Sequence, residues 1–256
     1  MTSRLADPMY LRFQYADDQK LRIRIETHER YSENPEPFTS WVLERVAARP
    51  GMSVLDVGSG PGQYHGQMGA LRVIALDMSA GMLSKVRVPR VQADAQHLPF
   101  AAGSFDRVMA NHVLYHVPDM PRALRELRRV ARPGGRVVLT TNSRTTMAPL
   151  FAITDTVASE LGVAGERTVG LRFGLEDLEL VRLTFPTATV DVYEDAFVFI
   201  SPEPVLAYVA SMWIEYVDAP KRGEFLRGIE RRVGEQIERD GVFRVPKRSG
   251  CFVAEV

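Results

Sequence analysis

The sequence predicts an α/β fold built on a doubly wound, mostly parallel sheet. Two observations support this prediction. Short apolar segments that suit buried strands alternate with helical segments between residues 52 and 141. In addition, the strand predicted at residues 52–57 ends in a glycine-rich turn, Gly58-Ser-Gly60-Pro-Gly62. Ligands of such sheets bind at the carboxyl ends of the strands, and the turn lies at one of these ends.

The N-terminal region is predicted to be helical. Residues 1–31 are rich in Tyr, Arg and acids but lack a long apolar face, so we expect an arm of short helices. Asn34 followed by Pro35 resembles an N-cap with proline at the first helical position. Apolar residues then recur at helical spacing until Pro50 and Gly51 end the helix.

Strands and helices alternate in the central region. Strands are predicted at residues 52–57, 72–77, 88–92, 105–110 and 135–141. The helix after the glycine turn, at about 62–69, is expected to be short because Gly66 and Gly69 weaken it. The helix at 121–132 should bury its leucines and turn its arginines to solvent, as a hydrated basic face rather than a nucleic-acid surface.

After residue 141 the alternation stops. Helices are predicted at 147–161, 175–183 and 221–239, a loop at 166–174, and strands at 187–193, 196–200 and 250–256. One more helix carries an apolar stripe, which consists of Val205, Tyr208, Val209, Met212, Trp213, Tyr216 and Val217. Most of this stripe is expected to be core, with one or two rings facing a substrate pocket.

Composition narrows the class of protein. The chain has 256 residues, 45% of them hydrophobic and 25% charged, which predicts one globular domain. Its formal net charge is zero, so no overall field attracts nucleic acid. Cys251 is the only cysteine, which excludes an intrachain disulfide and a cysteine-based zinc site. Without a signal peptide or a long apolar stretch, we expect a cytoplasmic protein with no membrane span.

The glycine turn and a distant acid predict a nucleoside ligand. Asp77 ends the next predicted strand, where a carboxylate can hold two ribose hydroxyls. Dinucleotides and S-adenosylmethionine both use this arrangement. A dinucleotide turn has the pattern Gly-x-Gly-x-x-Gly, but Gln63 stands where its third glycine belongs. S-adenosylmethionine has no pyrophosphate, and its amino-acid end can lie along the backbone of the turn.

Five motifs in order resemble those of class I S-adenosylmethionine-dependent methyltransferases, in particular the small-molecule group that includes ubiquinone and menaquinone methyltransferases. They occupy residues 54–62, 74–83, 91–100, 105–119 and 127–135. The resemblance implies a Rossmann-like, seven-stranded sheet with an N-terminal helical arm and a helical cap insertion. It also implies a single methyltransferase domain, which consists of an arm at 1–50, a cofactor-binding core at 51–141, and cap segments with sheet-completing strands at 142–256.

The resemblance implies a site for the methionyl end of the cofactor. Backbone groups of Gly58, Ser59 and Gly60 would contact the amino-acid part. Asp56 would lie near its ammonium, directly or through water. Asn111 would place its carbonyl oxygen beside the ammonium and the methyl group that is transferred.

The resemblance implies a second group of residues for the nucleoside end. Asp77 would accept both ribose hydroxyls, and Met78 would flank the adenine. Asp94 would accept a hydrogen bond from the adenine amino group, and the backbone of Ala95 would contact the ring. Outside these motifs, Asp77 would be an ordinary N-cap and Asp94 an ordinary turn residue.

Other polar residues have simpler interpretations. Asp106 begins a strand, far from the ligand-bearing end, so a structural role is favoured. His112 and His116 follow the fourth strand and could accept a proton from a substrate, although orientation of the loop is the favoured role for each. No acidic cluster accompanies them, so no metal site is predicted.

The leading functional hypothesis is methyl transfer to a small molecule at oxygen, nitrogen or carbon. The alternatives are an RNA or tRNA base methyltransferase, a non-catalytic S-adenosylmethionine-binding module and a dinucleotide oxidoreductase. No catalytic residue is assigned, because methyl transfer needs a base only when the acceptor loses a proton. The acceptor pocket is expected to form from the segment 142–185 and the arm, in particular Tyr10, Tyr15, Arg30 and Tyr31. The sequence leaves the oligomeric state open.

Overall fold

The computed structural model describes residues 14–15, 18–163 and 172–256, without the side chain of Tyr216. The expectations for Tyr10 and for most of the loop at 166–174 lie outside the described residues.

The described residues form a seven-stranded sheet in the order β3-β2-β1-β4-β5-β7-β6. β7 is antiparallel to both of its neighbours, and the other neighbouring strands are parallel. The predicted doubly wound, mostly parallel sheet is therefore confirmed. The strands are β1 (Ser53–Val57), β2 (Arg72–Asp77), β3 (Arg90–Gln92), β4 (Phe105–Asn111), β5 (Ala131–Asn142), β6 (Thr189–Phe199) and β7 (Phe243–Glu255).

Helices cover both faces of the sheet and its carboxyl edge. They are α1 (Gln19–Tyr31), α2 (Phe38–Val46), α3 (Ala80–Leu83), α4 (Met120–Val130), α5 (Ala148–Glu160), α6 (Leu178–Arg182), α7 (Glu203–Trp213) and α8 (Arg222–Asp240). Single 3₁₀ turns occur at His65–Gln67, Leu114–His116, Leu175–Asp177, Ile214–Tyr216 and Ala219–Lys221. No helix within the described ranges has both the length and the hydropathy that crossing a membrane requires.

The two faces of the central sheet are buried by different helices. α4 buries Leu124, Leu127 and Val130 against one face, as predicted from its apolar stripe. α2 packs Trp41 and Val42 against the opposite face. This double coverage explains why consecutive residues of β1 and β4 are buried, instead of every second residue.

The helix predicted at about 62–69 is wrong. The chain instead forms turns and the single 3₁₀ turn His65–Gln67. Gly62 has a φ of +86°, outside the right-handed helical region, and two more glycines follow within the segment. The glycine turn therefore leads into irregular chain, so no helix N-terminus points at the ligand edge here.

Asn34 is not the N-cap of the next helix, which corrects a second prediction. α2 begins at Phe38, after Pro37. The Asn34 side chain instead closes a turn, with its Oδ1 accepting from the amide of Glu36 at 3.0 Å. Its Nδ2 donates to the carbonyl oxygen of Glu194 at 3.1 Å, which attaches the end of the arm to β6. Both the turn and the N-cap satisfy the side chain locally, so the sequence alone did not separate them.

The strands of the C-terminal half are longer than predicted. The segments 187–193 and 196–200 belong to one strand, β6, which pairs with β7 from Thr189 to Phe199. β7 begins at Phe243 rather than at residue 250, directly after Gly241 ends α8 with a φ of +80°. Continuous pairing between these two strands keeps their polar stretches in the sheet.

Candidate functional site

The glycine turn at residues 58–62 lies at the carboxyl end of β1. Gly58, Gly60 and Gly62 have φ values of +70°, +54° and +86°, which favour glycine. Space is restricted as well, since a Cβ on Gly58 would lie 2.5 Å from Cγ2 of Val113. The turn thus brings bare backbone to the ligand-bearing edge of the sheet.

Every amide of this turn is already hydrogen-bonded within the protein. The amides of Gly58 and Ser59 donate to the carbonyl oxygen of Leu76, at 2.7 and 3.0 Å. The Gly60 amide donates to Oδ2 of Asp77 at 2.9 Å. The amide of Gly62 donates to the carbonyl oxygen of Ser59 at 3.0 Å, and Pro61 has no amide hydrogen. The turn can therefore offer carbonyl oxygens to a cation, but it has no donors left for a pyrophosphate.

Asp77 ends β2 and joins the turn to the second strand. Its Oδ1 accepts from the amide of Ser79 at 2.8 Å, and its Oδ2 accepts from Gly60. Burial raises the pKa of the Asp77 carboxyl above its ordinary value, although both amides oppose this shift. Each oxygen has acceptor capacity left for one hydroxyl. The next residue, Met78, leaves 61% of its surface exposed beside this carboxylate.

Unpartnered polar atoms lie at the ends of β1 and β4. Asn111 is 9% exposed, and both its Oδ1 and its Nδ2 are buried without a hydrogen-bond partner in the described part of the chain. Asp56 is 1% exposed, and its Oδ1 also has no partner there. The two strands are neighbours, since Val57 pairs with Ala110. Buried polar atoms in native proteins are nearly always satisfied, so these atoms indicate a place for a ligand or an ordered water.

His65 is a site residue that the sequence analysis missed. Its Nε2 lies 3.0 Å from Oδ2 of Asp56, and its Nδ1 is buried without a partner among the described residues. A Cβ on Gly62 would lie 2.5 Å from that Nδ1, so the glycine makes room for the ring. The position of a histidine seven residues after Gly58, the first glycine of the turn, was the available signal. It was overlooked because the segment was interpreted as a weak helix.

Asp94 and Ala95 follow β3 next to the end of β2. The amide of Ala93 donates to the carbonyl oxygen of Asp77 at 3.1 Å, which attaches this segment to the site. Oδ1 of Asp94 accepts from the amide of Gln96 at 2.8 Å, and the Gln96 side chain contacts both carboxylate oxygens. The Ala95 side chain is buried at 6% exposure. Asp94 therefore has the contacts of a turn residue, in the place where the adenine is expected.

The N-terminal arm lies across the edge of the sheet that carries the site. A Cβ on Gly60 would lie 3.6 Å from Cδ2 of Leu21 in α1. The carbonyl oxygen of Tyr15 accepts from Oγ of Ser79 at 2.8 Å, and the Tyr15 hydroxyl lies 3.0 Å from Nε2 of His116. Tyr15 thus connects the loops after β2 and β4. The contact also holds the His116 ring in place, in agreement with the orienting role favoured for it.

Two other arm residues with a predicted pocket role lie elsewhere. Tyr31 packs its ring 5.0 Å from that of Phe199, in the apolar cluster that α5, α7 and α8 form with β6 and β7. Arg30 is exposed. Arg24 and His28, on the same helix, point toward α7 and β6. The sequence analysis named neither of them.

His112 has a strained backbone at the end of β4. Its φ is +50°, and its amide donates to the carbonyl oxygen of Thr140 at 3.1 Å. The ring lies between Phe38 and Tyr115, with centroid distances of 5.6 and 6.5 Å. Burial lowers the pKa of His112 from 6.5 to about 4, so the ring is neutral near pH 7. Strain of this kind is concentrated at functional sites.

Comparison with known proteins identifies the central segment. Residues 55–139 match the family model described as "Methyltransferase domain". The chain carries a methyltransferase domain. The matched residues run from β1 into β5, and they include the glycine turn, Asp77 and Asn111. The resemblance to class I methyltransferases that the motifs predicted is thereby confirmed for this segment.

A curated relative and two solved structures extend this comparison. The chain is 41% identical over 120 residues to a demethylmenaquinone methyltransferase of Renibacterium salmoninarum, which covers 44% of this chain and 50% of that protein. The chain thus spans half the length of this relative. A phosphoethanolamine N-methyltransferase 2 of Haemonchus contortus, in complex with S-adenosyl-L-methionine, has a TM-score of 0.58 at 18% identity and covers 98% of this chain and 59% of its own.

The other solved structure has a similar fold and is named for a different reaction. The [4+2]-cyclase SpnF matches with a TM-score of 0.57 at 20% identity, and the match covers 100% of this chain and 97% of that one. Its name describes a cyclisation, whereas the Haemonchus protein is named for methyl transfer. Likeness at this level of identity shows the fold alone, so the reaction has to be argued from the site.

Proposed function

We propose that the methyltransferase domain binds S-adenosylmethionine and transfers its methyl group to a small organic acceptor. The observation that carries the proposal is the hydrogen bonding of the glycine turn. Because every amide of residues 58–62 is used internally, the turn presents carbonyl oxygens. Carbonyl oxygens suit the ammonium of a methionyl group, whereas the phosphates of a dinucleotide need amide donors.

The methionyl ammonium would complete the unpartnered acceptors at the site. It has three hydrogens to donate. Oδ1 of Asp56 and Oδ1 of Asn111 are buried acceptors without a partner among the described residues, at the ends of adjacent strands. Carbonyl oxygens of Gly58, Ser59 or Gly60 supply the remaining contact. In this arrangement the ligand satisfies atoms whose burial otherwise costs about 1–3 kcal/mol each.

The nucleoside would extend from β1 toward β3. Asp77 accepts the two ribose hydroxyls, one on each oxygen, and the exposed Met78 covers one side of the adenine. Asp94 and the backbone of Ala95 contact the adenine edge. Because Gln96 contacts both oxygens of Asp94, the Gln96 side chain has to rotate or share an oxygen with the adenine amino group.

Methyl transfer requires few specific catalytic side chains. Displacement at the methyl carbon neutralises the positive charge of the sulfonium, so the protein mainly aligns the acceptor with the methyl group and excludes water. The arm contributes to this exclusion because Tyr15 and Leu21 cover the edge of the sheet at the glycine turn and Ser79. A base is required only for an acceptor that loses a proton.

Two observations favour a small acceptor over a nucleic acid. The chain has a formal net charge of zero, whereas binding to a polyanion needs a strongly basic surface. The matched relative is named for its action on demethylmenaquinone, which is a small organic molecule. We therefore infer that the acceptor of this chain is also a small organic molecule, but not that it is demethylmenaquinone.

Incubation with methyl-labelled S-adenosylmethionine and a fractionated metabolite extract tests the proposal. We expect one class of small molecule to gain the labelled methyl group, and the Asp77→Asn protein to transfer much less. Binding of S-adenosylhomocysteine without any labelled product would indicate a non-catalytic binding module. Labelling confined to an added RNA fraction would assign the reaction to a nucleic acid.

A further inference from the structure

Two donor side chains lie on one face of α1, beyond the proposed cofactor site. The helix starts near the glycine turn, where Leu21 lies against Gly60, and ends at β6, where Oγ of Ser32 donates to Oδ2 of Asp195 at 2.7 Å. Arg24 and His28 are four residues apart, so they share one face of the helix between these two points. We call Arg24, His28 and the four residues near them the acceptor cluster; the four are His112, Phe197, Tyr208 and Lys247.

The ring of His28 packs against two aromatic rings and keeps an accessible surface. Its centroid lies 4.6 Å from that of Phe197 and 6.1 Å from that of Tyr208. Lys247 contacts its Nδ1 at 3.2 Å, and His112 is close enough to influence its charge. His28 nevertheless is an exposed residue by surface area. Its accessible surface is therefore open to a ligand, beside two aromatic rings.

Lys247 is fully occupied by protein groups. Its Nζ donates to Oδ2 of Asp195 at 2.6 Å, to Oγ of Ser32 at 2.8 Å and to Nδ1 of His28 at 3.2 Å. These three contacts use all the hydrogens of an ammonium, and Asp195 balances its charge. Lys247 is 5% exposed, so it joins the arm to the sheet and has no hydrogen left for a ligand.

Lys247 also determines which nitrogen of His28 carries the hydrogen. Burial and then the charge of Lys247 hold the pKa of His28 well below its ordinary value, so the ring is neutral. An ammonium only donates, so Nδ1 of His28 must accept, and the hydrogen resides on Nε2. Nε2 has no hydrogen-bond partner in the described part of the chain. His28 therefore offers one N–H donor to a ligand.

Arg24 supplies a second donor and a positive charge. Its Nη2 is buried without a hydrogen-bond partner, although its Nε donates to the carbonyl oxygen of Lys20 at 3.3 Å. The guanidinium lies 5.8 Å from the ring centroid of Tyr15, and it is close enough to Tyr208 for its charge to affect the pKa of that hydroxyl. Among the described residues no carboxylate pairs with Arg24. A buried, charged donor without a partner is costly unless a ligand anion completes it.

We propose that Arg24 and His28 bind an anionic oxygen group of the methyl acceptor, which makes the acceptor a small organic acid. The inference rests on the proposed function, which supplies the methyl donor. A carboxylate or phenolate accepts from both donors at once, and the guanidinium balances its charge. The rings of Phe197 and Tyr208 favour an acceptor with a flat, unsaturated body.

The position of His28 distinguishes the acceptor from the carboxylate of the cofactor itself. The methionyl group would lie on residues 58–60, beneath Leu21. His28 is seven residues further along α1, which places it about 10 Å away along the helix axis at 1.5 Å per residue. A group bound by both Arg24 and His28 therefore belongs to a molecule on the far side of the methyl group.

Binding of benzoate and benzamide tests this assignment, because the two probes share a shape and differ in charge. Their affinities would be measured by titration calorimetry or ligand-observed NMR, with and without S-adenosylhomocysteine. We expect the wild-type protein to bind benzoate at least ten times more tightly than benzamide. Arg24→Met and His28→Phe, which keep much of the side-chain volume, should reduce this preference to less than threefold. Arg30→Met, an exposed change on the same helix, is the matched control and should retain it.

Each outcome of the titrations bears on a defined claim. Equal binding of the two probes by the wild-type protein, or a preference that survives both substitutions, would overturn the acid-binding assignment. A tenfold loss of S-adenosylhomocysteine affinity in Arg24→Met and His28→Phe would also overturn it, because the anion would then be the cofactor's carboxylate. Failure of the wild-type protein to bind S-adenosylhomocysteine would refute the proposed function, whereas the benzoate preference would still be measured without it.

Discussion

The amide of Gly60 donates to the carboxylate of Asp77, with 2.9 Å between nitrogen and Oδ2. This bond joins the glycine turn after β1 to the acid at the end of β2, which are the two strongest signals in the sequence. It holds the acid against the turn and uses the last amide that a phosphate could have reached. One hydrogen bond thus gives the turn the shape that we propose for binding a nucleoside with a positively charged tail.

Asp77→Asn should weaken binding of S-adenosylhomocysteine at least tenfold, which corresponds to about 1.4 kcal/mol. The substitution removes the charge that receives the ribose hydroxyls. Burial raises the pKa of Asp77, so loss of the charge favours the free protein, whereas one of the two amides bonded to the carboxylate loses its acceptor. These contributions oppose each other, so the free energy of unfolding should change by no more than about 1 kcal/mol. Titration calorimetry and urea unfolding measure the two effects. Unchanged affinity would remove Asp77 from the site.

Asp106→Asn is the matched control, at the opposite end of the sheet. Oδ2 of Asp106 accepts from the amide and the hydroxyl of Ser53, each at 2.7 Å, and Arg132 pairs with the same carboxylate. We expect the free energy of unfolding to fall by about 2 kcal/mol. Affinity for S-adenosylhomocysteine should stay within twofold of wild type, and a large loss would mean that Asp77→Asn acts through the fold.

The Asp106 contribution should depend on pH in a defined direction. The hydrogen bonds from Ser53, assisted by the charge of Arg132, hold the pKa of Asp106 below its ordinary value. The ionised, bonded form therefore stabilises the protein above about pH 4, near the ordinary pKa of an aspartate, and this contribution is lost as the pH falls further. The stability difference between wild type and Asp106→Asn should shrink in acid. A difference that grows would contradict the assignment.

Asn111→Leu should separate stability from binding. Both amide atoms of Asn111 are buried without partners in the described residues, so an apolar side chain of similar size should leave the free protein as stable or about 1 kcal/mol more stable. Stabilisation by added S-adenosylhomocysteine, read as the rise in Tm, should fall. Asn142→Leu, at the end of the next strand, removes a bonded side chain and should lower stability instead. A less stable Asn111→Leu protein with normal binding would contradict a ligand role.

His112 should make the free protein less stable in mild acid. Burial lowers its pKa from 6.5 to about 4, so the unfolded chain binds more protons between these values. Stability should fall as the pH drops from about 6.5 toward 4, by up to about 1.4 kcal/mol per pH unit. Urea unfolding at several pH values should show a smaller slope for His112→Gln than for wild type. His97→Gln, at an exposed position, should keep the wild-type slope.

The sequence was sufficient for the parts of this protein that depend on local pattern. The apolar runs that became β1 and β4, the stripe of α4 and the glycines with positive φ each follow from their own neighbouring residues. The same applies to the positions of Asp77 and Asn111 at the carboxyl ends of β2 and β4, whereas their roles in binding stay predictions.

Features that depend on distant contacts were not predictable in this way. β6 continues through a polar stretch because β7 pairs with it along its whole length. Asn34 does not cap α2 because its side chain donates to a carbonyl oxygen of β6 instead. The pairing of Arg24 and His28 depends on the position of α1 over the sheet, which no local pattern specifies. The unpartnered atoms of Asp56 and His65 are likewise a property of packing, which a sequence pattern does not record.

The measurement that tests the central claim most directly is titration of the wild-type protein with S-adenosylhomocysteine and, separately, with NAD. The hydrogen bonding of the glycine turn predicts saturable binding of one S-adenosylhomocysteine per chain and no binding of NAD at the same concentration. Binding of NAD with no binding of S-adenosylhomocysteine would contradict the account.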